Sequence, residues 1–339
     1  ELILDGEKLN PASRALNHVT VEAQADGIVT YRHEGTTHRV RPKVIVNAGG
    51  AWIDSVNAAL GLQTRLMGGS KGAHLVVENQ ALHSALNGNM IYFGTADGRV
   101  NLVYPFMGRV LIGSTDIKCE DPDKAICSQQ EADYLRATVR EIFPDIEVTE
   151  DQIRHRFSGV RPLPNAEGDI GLVTRDHSIA QLNLPGGTTV LCLIGGKWTT
   201  FRKFSEEATD RVLKLLSAPR TCSTEDMQIG GGKGYPSADG RDDWIGTCAA
   251  STGIGKNRIE VLLGRYGTRA QNIAAELGED RPLNSLPDYS IEELSWIAGN
   301  ERVGELDDLL FRRTSIAISG RLTEKVRSEI ASLVARPLS

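Results

Sequence analysis

The stretch that decides the fold is "LIGGKWTTFRKF", Leu193 to Phe204. It follows "TTVLCLI" (Thr188 to Ile194), which is short, apolar and rich in β-branched residues, and so reads as a buried strand. The strand stops at Gly195-Gly196, and glycines there open backbone angles closed to other residues. Lys197 adds a mobile charge. Thr199 or Thr200 is placed to cap a helix over about 198–217, whose first-turn N–H groups are open to an anion or a polar ring edge. The unit is therefore strand, tight turn, cationic helix start. Read blandly, it is an ordinary strand-to-helix turn with a solvated lysine.

Upstream, "HVTVEAQ", "GIVTYR" and "HRVRPKVIVNAGG" read as strands. The last ends in Gly49-Gly50 ahead of a helical pattern through Trp52, Ile53, Val56 and Leu60. "GAHLVVE", "NMIYFGT", "RVNLVYPF" and "RVLIGSTD" crowd into residues 72–116 with turn residues between them, which predicts an antiparallel sheet. A helix over about 128–143 ends at Phe143-Pro144. "IRHRFSGVRPL" and "DIGLVTRD" lead back to the opening strand. Downstream, "QIGGGKGYPSADG" (228–240) reads as a linker, and 241–337 carries helical patterns. "GGGKG" (230–234) is no phosphate loop, because no apolar strand precedes it and no Ser or Thr follows the lysine. No GxGxxG follows a strand anywhere in the chain.

Composition narrows the function. With 339 residues, two or three domains are expected. A net charge of -6 disfavours bulk nucleic-acid binding, and no run of 18 apolar residues predicts a spanning helix. Five cysteines, odd in number and without a CxxC pair, suit a reducing compartment and argue against a structural zinc site; no metal ligand set is read. No secretory signal is read either. A chain that opens on Glu1 and enters strand-like sequence almost at once is expected to be a piece of a longer protein.

One pattern recurs: glycine, apolar strand, then a polar or basic residue. It marks His74, Arg161, Arg175 and Lys197. In order, "VNAGGAW", "KGAHLVV", "IGSTD", "FSGVRPL", "TRD" and "GGKWTTFRK" resemble the FAD-dependent, quinone-linked glycerol-3-phosphate dehydrogenases and their oxidase relatives. "GRYG" and "DDLLFRRT" extend the resemblance into the tail. The resemblance implies an α/β fold: an incomplete Rossmann-like FAD-binding domain (1–62 and 160–217), an antiparallel β substrate domain (63–159) and an all-helical C-terminal domain (218–339).

By the same resemblance, Gly49, Gly50, Trp52, Gly195, Gly196, Lys197 and Thr199 hold the FAD, with Lys197 in a catalytic role beside the ring. A positive field there stabilises reduced flavin. His74 is the implied base, since imidazole titrates near neutrality. Arg161 and Arg175 are the implied partners of the substrate phosphate and the developing alkoxide. The implied reaction turns sn-glycerol 3-phosphate into dihydroxyacetone phosphate, with quinone or oxygen as acceptor. The implied setting is cytoplasmic, with peripheral contact on the inner face of the cell membrane and a homodimer as the assembly. Arg312, Arg313, Arg321, Lys325 and Arg327 face anionic lipid in that reading, or form a solvated charged face.

Two departures stand against it. The family's "GGGxxG" turn and its early Arg-Tyr pair are not in this sequence, so the isolated chain is expected to bind FAD weakly or not at all and to be inactive. Ala73 stands where the family often has Ser. The alternatives are a related amine or 2-hydroxy-acid oxidase, which needs no arginine pair for a phosphate, and an inactive truncated fragment.

Overall fold

A computed structural model describes residues 1–165 and 176–334, which fall into two compact units. One comprises Glu1–His18, Asp226–Ala317 and the residues from Arg321 on; the other comprises Val19–Glu225 with Ile318–Gly320. The fold is α/β with an antiparallel sheet and a helical C-terminal unit, as the sequence implied.

The chain opens on a helix, α1 (Leu2–Leu9), where strand-like sequence was expected. Leucine, glutamate and lysine are good helix formers, and α1 belongs to the helical unit. In the other unit, β1 (Val19–Ala25), β2 (Ile28–His33) and β3 (Thr36–Val40) form an antiparallel meander. Its two-residue turns, Asp26-Gly27 and Glu34-Gly35, all have positive φ, the twist that suits a tight hairpin. The segment read as one strand through Asn47 is split. Pro42 carries no N–H, and pairing resumes at β4 (Val44–Asn47). A 3₁₀ turn at Gly50–Trp52 leads into α2 (Ile53–Ala59).

The strands β5 (Ser70–Val77), β6 (Ile91–Gly94), β7 (Val100–Phe106), β8 (Arg109–Gly113), β9 (Ile117–Lys118) and β10 (Ile153–Arg161) make the antiparallel sheet. Its order is β10-β5-β8-β7-β6, with β9 beside β5. Between these strands lie α3 (Gln80–Leu86) and α4 (Gln129–Ile142). Alternation sends Leu75, Val77, Val103, Val110 and Ile112 to one face. There they pack on Leu82 and Leu86 of α3 and on Ala132, Leu135 and Val139 of α4, all buried. Each large apolar side chain so buried contributes about 1.5–3 kcal/mol.

β11 (Ser178–Asn183) and β12 (Thr189–Ile194), the strand of "TVLCLI", complete a sheet of order β11-β12-β4. β12 runs parallel to β4, with Cys192 opposite Asn47, and α5 (Phe201–Leu215) follows it.

The helical unit holds α6 (Arg241–Thr252), α7 (Lys256–Tyr266), α8 (Ala270–Leu277), α9 (Ile291–Asn300) and α10 (Glu324–Val334). Its interior contains a carboxylate, Glu293, satisfied by Arg258, Arg265 and the Tyr266 hydroxyl. The glycine-rich stretch read as a linker is anchored in this unit. The N–H groups of Gly230 and Gly231 donate to Asp5 Oδ2 (2.7 Å) and Glu1 Oε2 (2.9 Å). A Cβ on Gly231 would stand 1.8 Å from the carbonyl oxygen of Tyr266. Gly231→Ala must push backbone apart, so it should cost about 1–3 kcal/mol, read as a lowered melting temperature. Gly232→Ala, with open space around its Cβ, is the control.

Candidate active site

In an antiparallel sheet, residues directly opposite one another share a face. Here the register runs Phe157–His74–Gly113–Leu102–Tyr92 across five strands, with Gly159 opposite Gly72 and Arg161 opposite Ser70. His74 and Arg161 therefore sit on one face, the one turned away from the core under α3 and α4.

Glycines make room for both. A Cβ on Gly113 would lie 2.1 Å from His74 Cδ2, and a Cβ on Gly72 would lie within the Arg161 guanidinium, 2.4 Å from Nη2. The His74 ring stacks on Phe157 with centroids 4.9 Å apart and planes 5° apart. Its Nδ1 is buried without a hydrogen-bond partner, and an orphaned buried polar atom calls for an explanation. Burial, and then the charge of Arg161, push its pKa down to about 4, so the imidazole is neutral at pH 7.

Arg161 Nη2 donates to Ser114 Oγ (2.7 Å) and to the Thr115 carbonyl (3.2 Å); Nη1 donates to Ser70 Oγ (3.3 Å). Asp116 Oδ1 lies 3.5 Å from Nη1 and also accepts a short hydrogen bond from Ser70 Oγ. Ser70, Gly72, Gly113, Ser114 and Asp116 are site residues that sequence reasoning did not single out, although "IGSTD" contains three of them.

The glycine turns form the second part. Because β4 and β12 are parallel, Gly49-Gly50 and Gly195-Gly196 leave the same edge of their sheet. The crevice outside the carboxyl ends of parallel strands is where ligands bind in such sheets. Gly50, Gly195 and Gly196 have φ of 56°, 72° and 95°. A Cβ on Gly195 would also stand 2.6 Å from the Asp176 carbonyl.

Trp52 Nε1 donates to Asp123 Oδ1 (2.9 Å), and the turn that carries it packs against β10, the strand of Arg161. A cleft of about 670 Å³ is lined by Ala51 and Asp54 beside one turn and by Val160 beside Arg161.

Lys197 and Thr199 are exposed, and Trp198 is 88 % exposed. The expected helix cap is not formed. Thr200 Oγ1 instead accepts from the Lys197 N–H and donates to its carbonyl, closing the turn back on itself. Arg175 lies outside the described residues.

Two other groups bear on ligands. His18, Glu305 and Asp308 converge within reach of a metal ion. Asp308 is already occupied by the N–H groups of Gly304 and Glu305, by His18 and by Arg312, which is the bonding of a turn cap. Of the basic tail residues, Arg312 and Arg327 pair with Asp308 and Asp307, Arg321 pairs with Asp288, and Arg313 bonds the Glu301 carbonyl. Most of that positive charge is therefore matched locally. Among the described residues no helix is long and apolar enough to cross a membrane.

Residues 13–202, more than half of the chain, match the FAD dependent oxidoreductase family. The chain belongs to this family. Residues 222–339 match the C-terminal domain of alpha-glycerophosphate oxidase. A glycerol-3-phosphate dehydrogenase of Synechocystis sp. is 31% identical over 94% of the chain and 61% of its own length. A D-erythritol 1-phosphate dehydrogenase of Brucella abortus is 29% identical over 87% of the chain and 58% of its own length. An aerobic glycerol-3-phosphate dehydrogenase of Staphylococcus saprophyticus is 28% identical over 82% and 51%.

The chain thus spans about half to three fifths of these relatives. A glycerol-3-phosphate dehydrogenase of Bacillus halodurans, solved with FAD, superposes with a TM-score of 0.74 at 24% identity, over 95% of this chain and 64% of that one; it shows the same fold. FAD is the cofactor of the family. The described residues of this member fit it on two counts: open glycine turns at the carboxyl edge of parallel strands, and an unpartnered neutral imidazole beside a guanidinium.

Proposed function

We propose that the chain carries part of the FAD-binding domain, the substrate domain and the helical domain of an FAD-dependent glycerol-3-phosphate dehydrogenase, which oxidises sn-glycerol 3-phosphate to dihydroxyacetone phosphate and passes electrons to a quinone. The observation that carries the reading is His74, neutral and without a protein partner on Nδ1, on the sheet face it shares with Arg161. The names of the relatives, all dehydrogenases of phosphorylated polyols, supply the substrate class.

FAD, when bound, supplies the hydride acceptor. Gly49, Gly50, Trp52, Gly195, Gly196 and Thr199 would hold it at the sheet edge, and Lys197 would set a positive field there. With Nδ1 buried, His74 takes the proton of the C2 hydroxyl on Nε2. Its low pKa keeps the ring neutral at pH 7, and the tautomer with the proton on Nδ1 leaves Nε2 as the acceptor. Arg161, held as a flat fork by Ser70, Ser114 and Thr115, is preorganised for the phosphate or the developing alkoxide; Arg175, outside the described residues, keeps its phosphate assignment from the sequence resemblance alone. Peripheral membrane contact and a homodimer belong to the same reading.

The test uses the longest protein that the gene encodes, loaded with FAD and free of oxygen. sn-Glycerol 3-phosphate should bleach the visible flavin absorbance, and a soluble quinone should restore it. Bleaching by glycine or lactate but not by glycerol 3-phosphate would overturn the reading in favour of an amine or 2-hydroxy-acid oxidase. Recovery with oxygen but not with quinone would overturn the acceptor.

A further inference from the structure

We infer that Thr115, whose hydroxyl the buried carboxylate of Glu131 on α4 orients, is a positioning residue for the site: it fixes both the loop that seats Arg161 and the β5 backbone that carries His74. The inference deepens the proposed function and rests on it.

Glu131 is 2% exposed. A carboxylate buried to that degree is costly unless its oxygens are fully engaged. They are. Oε1 accepts from Thr115 Oγ1 at 2.8 Å. Oε2 accepts from Lys71 Nζ at 2.7 Å and from the Ser128 N–H and Oγ, both at 2.9 Å. Burial opposes its ionisation, yet the bonds from Lys71, Ser128 and Thr115 outweigh burial and hold the carboxyl below the ordinary glutamate value.

Helix capping explains only part of this. Ser128 and Glu131 form a capping box at the start of α4, in which the Glu131 N–H donates to Ser128 Oγ and the Glu131 carboxylate accepts from the Ser128 N–H. The bonds to Lys71 and Thr115 are additional, and both lead to the sheet. A hydroxyl has one proton to give. Thr115 gives it to Glu131, which turns its lone pairs toward the Ala73 N–H, 2.9 Å away. Ala73 stands between Gly72, over which the Arg161 guanidinium lies, and His74. The Thr115 carbonyl and the Ser114 hydroxyl in turn accept from Arg161 Nη2. One buried carboxylate therefore orients one threonine, and that threonine touches the supports of both candidate site residues.

Four variants of the 339-residue chain test this. Thr115→Val keeps the shape and removes the hydroxyl. Thr115→Ser keeps the hydroxyl. Thr138→Val removes a similarly buried hydroxyl on α4, the helix of Glu131, one that donates to the Leu135 carbonyl. Arg161→Ala tests the substrate reading itself. NMR on isotopically labelled protein follows the His74 imidazole and the binding of sn-glycerol 3-phosphate.

Thr115→Val should move the His74 resonances and weaken binding about tenfold or more, the size of one lost positioned hydrogen bond. Thr115→Ser should restore both. Thr138→Val should lower the melting temperature and leave both unchanged. If Thr115→Val and Thr138→Val behave alike at His74, the inference is overturned, whatever the substrate. If Arg161→Ala binds glycerol 3-phosphate as the parent does, the substrate reading falls; in that case, and where the parent itself binds none, the His74 comparison still decides the role of Thr115.

Discussion

His74→Ala should slow flavin reduction by sn-glycerol 3-phosphate by about 10²–10⁴-fold, the range of a lost general base. The substrate should still bind, because the phosphate partner assigned here is Arg161. Stopped-flow bleaching in the FAD-loaded protein separates the two effects. The pH dependence carries a further signature. Burial and the Arg161 charge lower the His74 pKa from 6.5 to about 4, so the free protein keeps its base unprotonated across the neutral range. A bound phosphate dianion cancels part of the push from Arg161. The histidine should then titrate higher in the complex than in the free protein. The acid limb of kcat should therefore lie at higher pH than that of kcat/KM, after allowance for the substrate phosphate, which itself ionises at about pH 6.

Stability should follow the same group. Between pH 6.5 and about 4 the unfolded chain protonates this histidine while the folded chain does not. The unfolded state binds more protons there, so stability is lost as pH falls through that window, and His74→Ala should remove this part of the loss. A variant that reduces flavin at the parent rate would leave the base unassigned.

The two parts of the site differed in how far they could be read. "TVLCLI" and its glycines announce a buried strand and a tight turn because both signals are local: apolar run length and the need for positive φ. The antiparallel sheet is equally legible, since four short strand patterns joined by turns leave few other arrangements. His74 and Arg161 emerge from motif resemblance. Their seats do not, because Gly113 clears His74 and Gly72 clears Arg161 only once the register of β5 with β8 and β10 is fixed. Register joins residues tens of positions apart, and nothing in either segment alone displays it.

The N-terminal segment was misread for a related reason. Eight residues are too few for helical periodicity to stand out, and the carboxylates of Glu1 and Asp5 find their partners at Gly231 and Gly230, more than two hundred residues away. A glycine run used for close backbone approach looks, in sequence, like a glycine run used for flexibility. Thr200 shows the limit at the smallest scale: the residue type is right for a cap, but the hydroxyl satisfies Lys197 instead.

Arg161→Ala should reduce kcat/KM for sn-glycerol 3-phosphate by roughly 30-fold to several thousand-fold. Removing one partner of a largely desolvated charge pair commonly costs about 2–5 kcal/mol, and each 1.4 kcal/mol is about a factor of ten. Plain glycerol carries no phosphate, so its slow turnover should fall much less, and the ratio of the two losses measures the phosphate contribution. Arg161→Lys should recover only part of the loss. The two terminal nitrogens of Arg161 reach Ser70, Ser114, the Thr115 carbonyl and Asp116 at once, and a single ammonium cannot span that set. Asp116 sharpens the test. Its carboxylate competes with any anionic ligand for Arg161 Nη1, so Asp116→Asn, which removes the competing charge and keeps the shape, should tighten phosphate binding where Arg161→Ala weakens it. Calorimetric titration with inorganic phosphate reads both directions. Equal losses for glycerol and glycerol 3-phosphate in Arg161→Ala would remove the phosphate assignment, and with it the main reason for preferring a phosphorylated polyol over an amine or a 2-hydroxy acid.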